Sequence, residues 1–234
     1  MDPSPANTAA VIPCLDEART IGPIVRHLLP LTPTVIVVDD GSSDSTALLA
    51  HDSGAVVLRN PSPAGKGRAL AQGWTEALRL GASWVLLLDG DGQHAPEDAP
   101  HFFHAASHGT RLVVGNRMDH PLAMPPLRRW TNRWLSHRLS AAAQSHFPDS
   151  QCGYRLAHLP SLIDCHLSAQ HFEIESEMLL AFARAHLPIR FIPIQVRYGH
   201  ERSKIAPVPD SLRWIRWYLR QRRLTLPQPR TPAP

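Results

Sequence analysis

Long apolar runs are missing from this 234-residue chain. The longest, such as Val35–Val38 and Val85–Leu88, fall far short of a membrane span, which excludes an integral bundle. Cysteine is scarce. Cys14, Cys152 and Cys165 are odd in number and show no metal-ligand spacing, so no thiolate metal site is expected and a reducing cytoplasm fits. The opening "MDPSPANTAA" lacks a basic stretch followed by an apolar one, so no signal peptide is expected. No internal repeat is found. Basic excess is also missing from the body: residues 210–234 hold six arginines and Asp210, whereas the other 209 residues hold 18 basic and 19 acidic side chains. The net charge of +4 therefore belongs to the C-terminal segment, which argues against nucleic acid as the body's partner and for a local anionic one near the C-terminus.

What is present reads as one α/β domain. Apolar runs at 9–13, 34–38, 55–59, 84–88 and 112–115 predict strands. Helical patterns fill the gaps at 17–29, 43–54 and 65–81. Continuous apolar strands separated by helices imply a Rossmann-like, mostly parallel central sheet covered on both faces. Further on, 127–144 and 172–186 predict helices, "PDSQCGYRL" a loop feeding a turn, and 188–199 a late strand interrupted by Pro193, hence at an edge or bulge. Ligands on such sheets bind beyond the strand C-terminal ends. Asp39, Asp40, Asp89, Asp91 and Arg117 all fall there.

The stretch "WVLLLDGDGQHAPED" carries the most chemistry. Alternate positions of an extended segment face one way, so Asp89, Asp91 and Gln93 can offer three oxygens to one hard cation. A cation there would neutralise a diphosphate as a bond to it breaks. The plainer reading is an acidic loop capping the next helix; the buried strand before it, and the matching pair Asp39–Asp40, favour the ligand reading. An EF-hand would need Glu where Pro100 stands, and a phosphate-binding loop would need Ser or Thr where Gly67 follows Lys66. A haloacid-dehalogenase-type phosphatase would want Thr or Val at Gln93 and an earlier place in the chain.

Eight blocks then occur in one order: "VIPCLDEARTI", "VIVVDDGSSDST", "GKGRALAQG", "LLLDGDGQH", "VVGNRM", "DSQCGYRL", "FEIESEML" and "RYGHERSKI". Together, over roughly residues 9–208, they resemble family-two glycosyltransferases of the GT-A fold, in the branch similar to dolichol-phosphate mannose synthase. The resemblance implies a nucleotide cradle at Pro13, Leu15 and Glu17, with Leu15 where the family usually has an aromatic residue. It implies base or ribose contacts at Asp39 and Asp40, for which capping the following helix is the alternative. It further implies Mg²⁺ or Mn²⁺ on Asp89, Asp91 and Gln93, with Asp91 also catalytic. Phosphate contacts are implied at Arg117 and Arg128, with Arg129 an equal candidate, and a basic closing loop at Arg202 and Lys204. Lys66, near a helix start, adds positive potential.

The resemblance implies displacement at the anomeric carbon with inversion, using a nucleoside diphosphate sugar. A hydroxyl acceptor needs a carboxylate base, for which Asp149 or Glu175 stands in the matching blocks. A phosphate monoester, ionised near neutral pH, does not. A polyprenyl or dolichyl phosphate is the acceptor the branch implies; a hydroxyl acceptor, or a silent nucleotide-sugar-binding protein, are the alternatives. The domain plan is a catalytic unit at 1–209, an amphipathic basic helix at 210–224 and a Pro-rich tail at 225–234 with no means of packing. On a helical wheel Arg213, Arg216, Arg220 and Arg223 form one stripe beside Leu212, Trp214, Ile215, Trp217, Tyr218 and Leu219. That composition suits peripheral contact with the inner face of a membrane from the cytoplasm.

Overall fold

The computed structural model describes residues 2–107, 109–119, 124–196 and 207–225, excluding the side chains of 207, 208 and 222–225. The chain divides into two compact units, Met1–Glu201 and Arg202–Pro234.

In the first unit the elements run β1 (Thr8–Cys14), α1 (Ile21–Leu28), β2 (Thr34–Asp39), α2 (Thr46–Asp52), β3 (Val56–Arg59), α3 (Lys66–Arg79) and β4 (Trp84–Leu87). After these come α4 (Ala99–Ala106), β5 (Leu112–Asn116), α5 (Pro126–Ala143), β6 (Arg155–His158), α6 (Leu159–Asp164), α7 (Ile174–Arg184) and β7 (Ile189–Pro193). The sheet order is β3-β2-β1-β4-β6-β5-β7. β6 runs antiparallel to β4 and β5, and the other described pairings are parallel. Ala9–Ile12, Val35–Val38 and Val85–Leu86 are essentially without exposed surface. Each such side chain stabilises the fold by roughly 1.5–3 kcal/mol where it is Val, Leu or Ile. Helix α3 packs on β1 and β2, and α4 on β5, β6 and β7.

From β1 the chain winds outward through β2 to β3, then crosses to β4 on the other side of β1. That reversal opens a crevice at the strand C-terminal ends, where loops diverge in opposite directions. The two loops meet there: Thr20 Oγ1 donates to Gly90 O at 2.6 Å.

Two departures from the sequence expectation concern the second half. The segment expected to be a loop feeding a turn, 148–156, runs into β6, whose first residue, Arg155, is 1 % exposed. Neither its four-residue length nor a leading arginine signals a strand, because the arginine's solvation is replaced only by tertiary partners. Helix α4, with two prolines near its start, was not expected from periodicity either. Among the described residues the late strand pairs with β5 alone, and it ends on Pro193, as a residue without an amide donor requires. Val196 then forms an isolated bridge to His94, and 197–199 lie outside the described residues.

The second unit contains α8 (Pro207–Thr225). Within it Trp214 stacks on Tyr218 at 4.9 Å, Arg213 pairs with Asp210, and Leu212, Ile215 and Leu219 are exposed. The tail at 226–234 lies outside the described residues. Among the described residues no helix is long and apolar enough to cross a membrane.

Candidate active site

The site is built from the C-terminal ends of β1, β2, β4 and β5, closed by the starts of α3 and α7. Pro13 pairs with Val38, Cys14 with Asp39, and the Cys14 carbonyl accepts from the Asp40 amide at 2.8 Å. The loop carrying Leu15 and Glu17 is tied to the loop after β2. Ser42 Oγ accepts from the Asp16 amide and Thr46 Oγ1 from the Glu17 amide.

The two β2 acids have different work. Asp40 accepts from the amides of Ala64 and Gly65 at 2.9 and 2.8 Å and from Asn60 Nδ2 at 2.8 Å. Its carboxylate is thereby spent on the turn that launches α3, which makes it a positioning residue. Asp39 is fully buried; its Oδ1 accepts from the Ser42 amide. Its Oδ2 is ion-paired with Arg59 Nε at 3.2 Å but accepts no hydrogen bond. A buried acceptor without a hydrogen bond is stabilised by a ligand that supplies an N–H or O–H.

Asp89 lies just past β4, and Lys66 Nζ meets its Oδ1 at 2.5 Å. The same ammonium meets Glu175 Oε1, at the start of α7, also at 2.5 Å. Burial works against the charge on Lys66, but Asp89 and then Glu175 more than offset it and raise its pKa. Burial likewise opposes ionisation of Asp89, but Lys66 first, then His94, pull its pKa down to about 2. Lys66 is thus the central cation of the site rather than a peripheral source of potential. Glu175 Oε2 is buried with no hydrogen-bond partner.

Two segments place Lys66. The Gln170 carbonyl accepts from the Gly67 and Arg68 amides, so the α3 N-terminus is already occupied by protein. Glu177 in turn fixes Ser168 and Ala169 through their amides. A Cβ on Gly67 would lie 2.2 Å from the Ala169 carbonyl oxygen, which is why glycine follows the lysine here.

Asp91 Oδ1 accepts from the Gln93 amide at 3.0 Å, a turn within the acidic loop, while neither the 96–98 turn nor α4 receives a side-chain cap from it. Arg128, near the start of α5, reaches Gln93 Oε1 with Nη1 at 3.5 Å. His94 is buried, stacks on Tyr154 at 5.3 Å, and faces the Asp89 amide with Nδ1; burial lowers its pKa. Among the described residues no three His, Cys, Asp or Glu side chains converge into a metal cage. The donor set still suits a hard cation: two aspartates and an amide oxygen, with the remaining ligands left to a diphosphate and water. Glycine at 153 lets the backbone come close to the Asp89 carboxylate, since a Cβ there would stand 2.5 Å from Asp89 Oδ2 and 2.9 Å from Oδ1.

Asp149 differs from the sequence expectation of a catalytic group. It has no exposed surface. Arg117 Nε meets its Oδ2 at 2.8 Å and Arg117 Nη2 its Oδ1 at 2.9 Å, while the Arg117 amide and Asn132 Nδ2 add further bonds. Burial alone would raise its pKa, but the Arg117 guanidinium outweighs that and holds it below the usual carboxylate range. In this arrangement both of its oxygens are engaged by Arg117 and Asn132, and it fixes Arg117 at the end of β5. Arg155 was not singled out from sequence. Its guanidinium donates to the carbonyls of Cys152, Glu175 and Ser150, which fastens the 149–155 loop to α7. Arg202 and Lys204 lie outside the described residues.

A mostly parallel sheet thus carries acids at the β2 and β4 ends, a lysine at the start of α3 bridging Asp89 and Glu175, and an arginine after β5. The Glycosyl transferase family 2 model matches residues 9–165, and the chain belongs to that family. It is 31% identical over 194 residues to glycosyltransferase AglJ of Haloferax volcanii, a match covering 82% of this chain and 63% of that protein. It is 32% identical over 162 residues to the polyprenol monophosphomannose synthase of Mycolicibacterium smegmatis, covering 63% of this chain and 60% of the relative. Among solved structures, glucosyl-3-phosphoglycerate synthase of Mycobacterium tuberculosis, in complex with Mn²⁺ and UDP-glucose, superposes with a TM-score of 0.72 at 24% identity. That superposition covers 96% of this chain and 81% of that one, and it shows the shared fold.

Proposed function

We propose that the chain transfers a hexose from a nucleoside diphosphate sugar, with inversion, to a polyprenyl or dolichyl phosphate. The observation that carries this reading is the Lys66–Asp89–Glu175 cluster beside Asp91 and Gln93, at the crevice where the sheet reverses direction. The mannose synthase relative supports the lipid phosphate by its name, and the UDP-glucose complex supports the donor class and metal.

Asp39, whose Oδ2 accepts no hydrogen bond, receives the nucleoside, and Pro13–Glu17 forms the floor beside it. Asp89, Asp91 and Gln93 hold Mg²⁺ or Mn²⁺, which supplies Lewis-acid neutralisation of the departing diphosphate. Lys66 and Arg128 add fixed positive charge around that diphosphate, and Arg202 and Lys204 belong to the same donor machinery. A phosphate oxygen of the acceptor forms the bond to the anomeric carbon as the bond to the nucleoside diphosphate breaks. The nucleophile is already ionised near neutral pH, so no protein base is required. The buried, committed Asp149 agrees with that chemistry. Helix α8, with exposed Leu212, Ile215 and Leu219, contributes peripheral contact with a cytoplasmic membrane face.

Thermal denaturation with UDP, GDP and their sugars, with and without Mn²⁺, tests the donor half. Ligand at about 100 times its dissociation constant stabilises by roughly 2.7 kcal/mol. One nucleotide should stand out, only with metal present, and Asp89→Asn with Asp91→Asn should abolish the shift. Equal stabilisation in EDTA would contradict the metal reading. For the acceptor half, Asp149→Asn should raise the donor KM through Arg117 and leave the pH dependence of kcat unchanged. Loss of a basic-limb ionisation from the kcat profile would restore Asp149 as a base.

A further inference from the structure

Helix α5 is built inside out. The face it buries is largely polar: Asn132 and Ser136 are each 3 % exposed and bond to Asp149 and Ser150. Leu139 completes that face. Its outer stripe is apolar and aromatic, with Leu127 74 %, Trp130 66 % and Trp134 36 % exposed. Spacings of three and four place these side chains along one side of a helix. Flanking them are exposed Arg133, His137 and Arg138, with the Arg138 guanidinium 5.4 Å from the Trp134 ring centre. From 120 to 148 the sequence holds no Asp or Glu.

Two exposed tryptophans are costly on a surface meant for water alone. Tryptophan gains most at the boundary between headgroups and acyl chains, where its ring is apolar and its N–H finds an acceptor. Arginines beside it can lie along apolar matter with their charged ends among anionic headgroups. A stretch with only positive charge complements an anionic bilayer and repels a basic one. The same helix reaches the site with its other sides, through Arg128 to Gln93 and Asn132 to Asp149.

From this we infer that the Leu127–Trp130–Trp134 face of α5 docks on the anionic surface of a lipid bilayer and thereby delivers a lipid-borne phosphate beside the metal loop. The delivery rests on the lipid-phosphate reading given above; the docking does not. The surface lies in the first unit and is distinct from α8.

The test uses full-length protein without nucleotide or metal, sedimented with vesicles of equal parts phosphatidylglycerol and phosphatidylcholine, or phosphatidylcholine alone. No polyprenyl phosphate is present, so the outcome is separate from acceptor specificity. Wild type should bind the anionic vesicles, and Trp130→Ser with Trp134→Ser should weaken that by about tenfold or more while α8 stays intact. The metal-dependent nucleotide shift should persist, and Trp130→Ser alone, at the side chain that is 66 % exposed, should leave the melting temperature unchanged while still weakening vesicle binding. Arg133→Ser with Arg138→Ser should narrow the preference for anionic over neutral vesicles. Equal binding by wild type and the tryptophan variant would overturn the inference, as would no binding by wild type. So would a wild-type dimer in light scattering that the tryptophan variant dissolves, since the face would then be an interface between copies. A failed nucleotide shift with intact vesicle binding would instead remove the transferase reading and leave the docking face standing.

Discussion

Lys66 sets the charge balance of the crevice, because one ammonium serves two carboxylates from different parts of the chain. Its hold on Asp89 has a thermodynamic consequence in metal-free protein. The Asp89 pKa lies at about 2 in the folded protein against an ordinary value of 3.8. A depressed folded-state pKa contributes stability that is fully present above the unfolded value and is lost as pH falls through the folded one. Urea unfolding of wild type and Asp89→Asn in EDTA should therefore differ most above about pH 4 and converge toward pH 2. A difference that stays constant through that window would show that Asp89 does not ionise as the Lys66 contact requires. Glu175 was legible as a position matching acceptor-site residues, but its role was not. Its distance from Lys66 in sequence is over a hundred residues, and only folding decides that α7 begins where α3 does.

At the scale of elements, the start of α3 is the joint on which the site depends. Asp40 holds the turn before it, the Gln170 carbonyl caps its amides, and Glu177 fixes the segment that carries Gln170. Gly67→Ala would press a methyl against the Ala169 carbonyl, and backbone cannot yield as a side-chain tip does. The substitution should cost about 2 kcal/mol or more in urea unfolding, and should weaken nucleotide binding because Lys66 moves with the helix. A variant of wild-type stability would mean that the 168–170 segment does not pack there. The first five strands were legible because each is a continuous apolar run between turn signals. β6 was not, since an antiparallel strand led by a buried arginine has no local pattern; its burial is made possible by carbonyls from Ser150, Cys152 and Glu175.

On the scale of the whole molecule, the donor-site reading and the α8 membrane reading rest on different segments of the chain and can be tested apart. Deleting 207–234 should leave the Mn²⁺-dependent nucleotide shift within about 1 °C of wild type and reduce binding to anionic vesicles several-fold. Loss of the nucleotide shift on that deletion would mean that residues 207–234 are needed for donor binding.

The sequence by itself determined the sheet's class, the crevice at its C-terminal edge and the acidic loop, because these rest on periodicity and on residue types adjacent in the chain. The tertiary structure decided which charges are spent. It showed Asp40 holding the turn before α3, Asp149 holding Arg117, Lys66 as the shared cation, Asp39 and Glu175 each with an oxygen that accepts no hydrogen bond, and α5 with its tryptophans outward. The physical reason is that a carboxylate's partners are set by which distant segments fold against it, and no spacing along one strand records them.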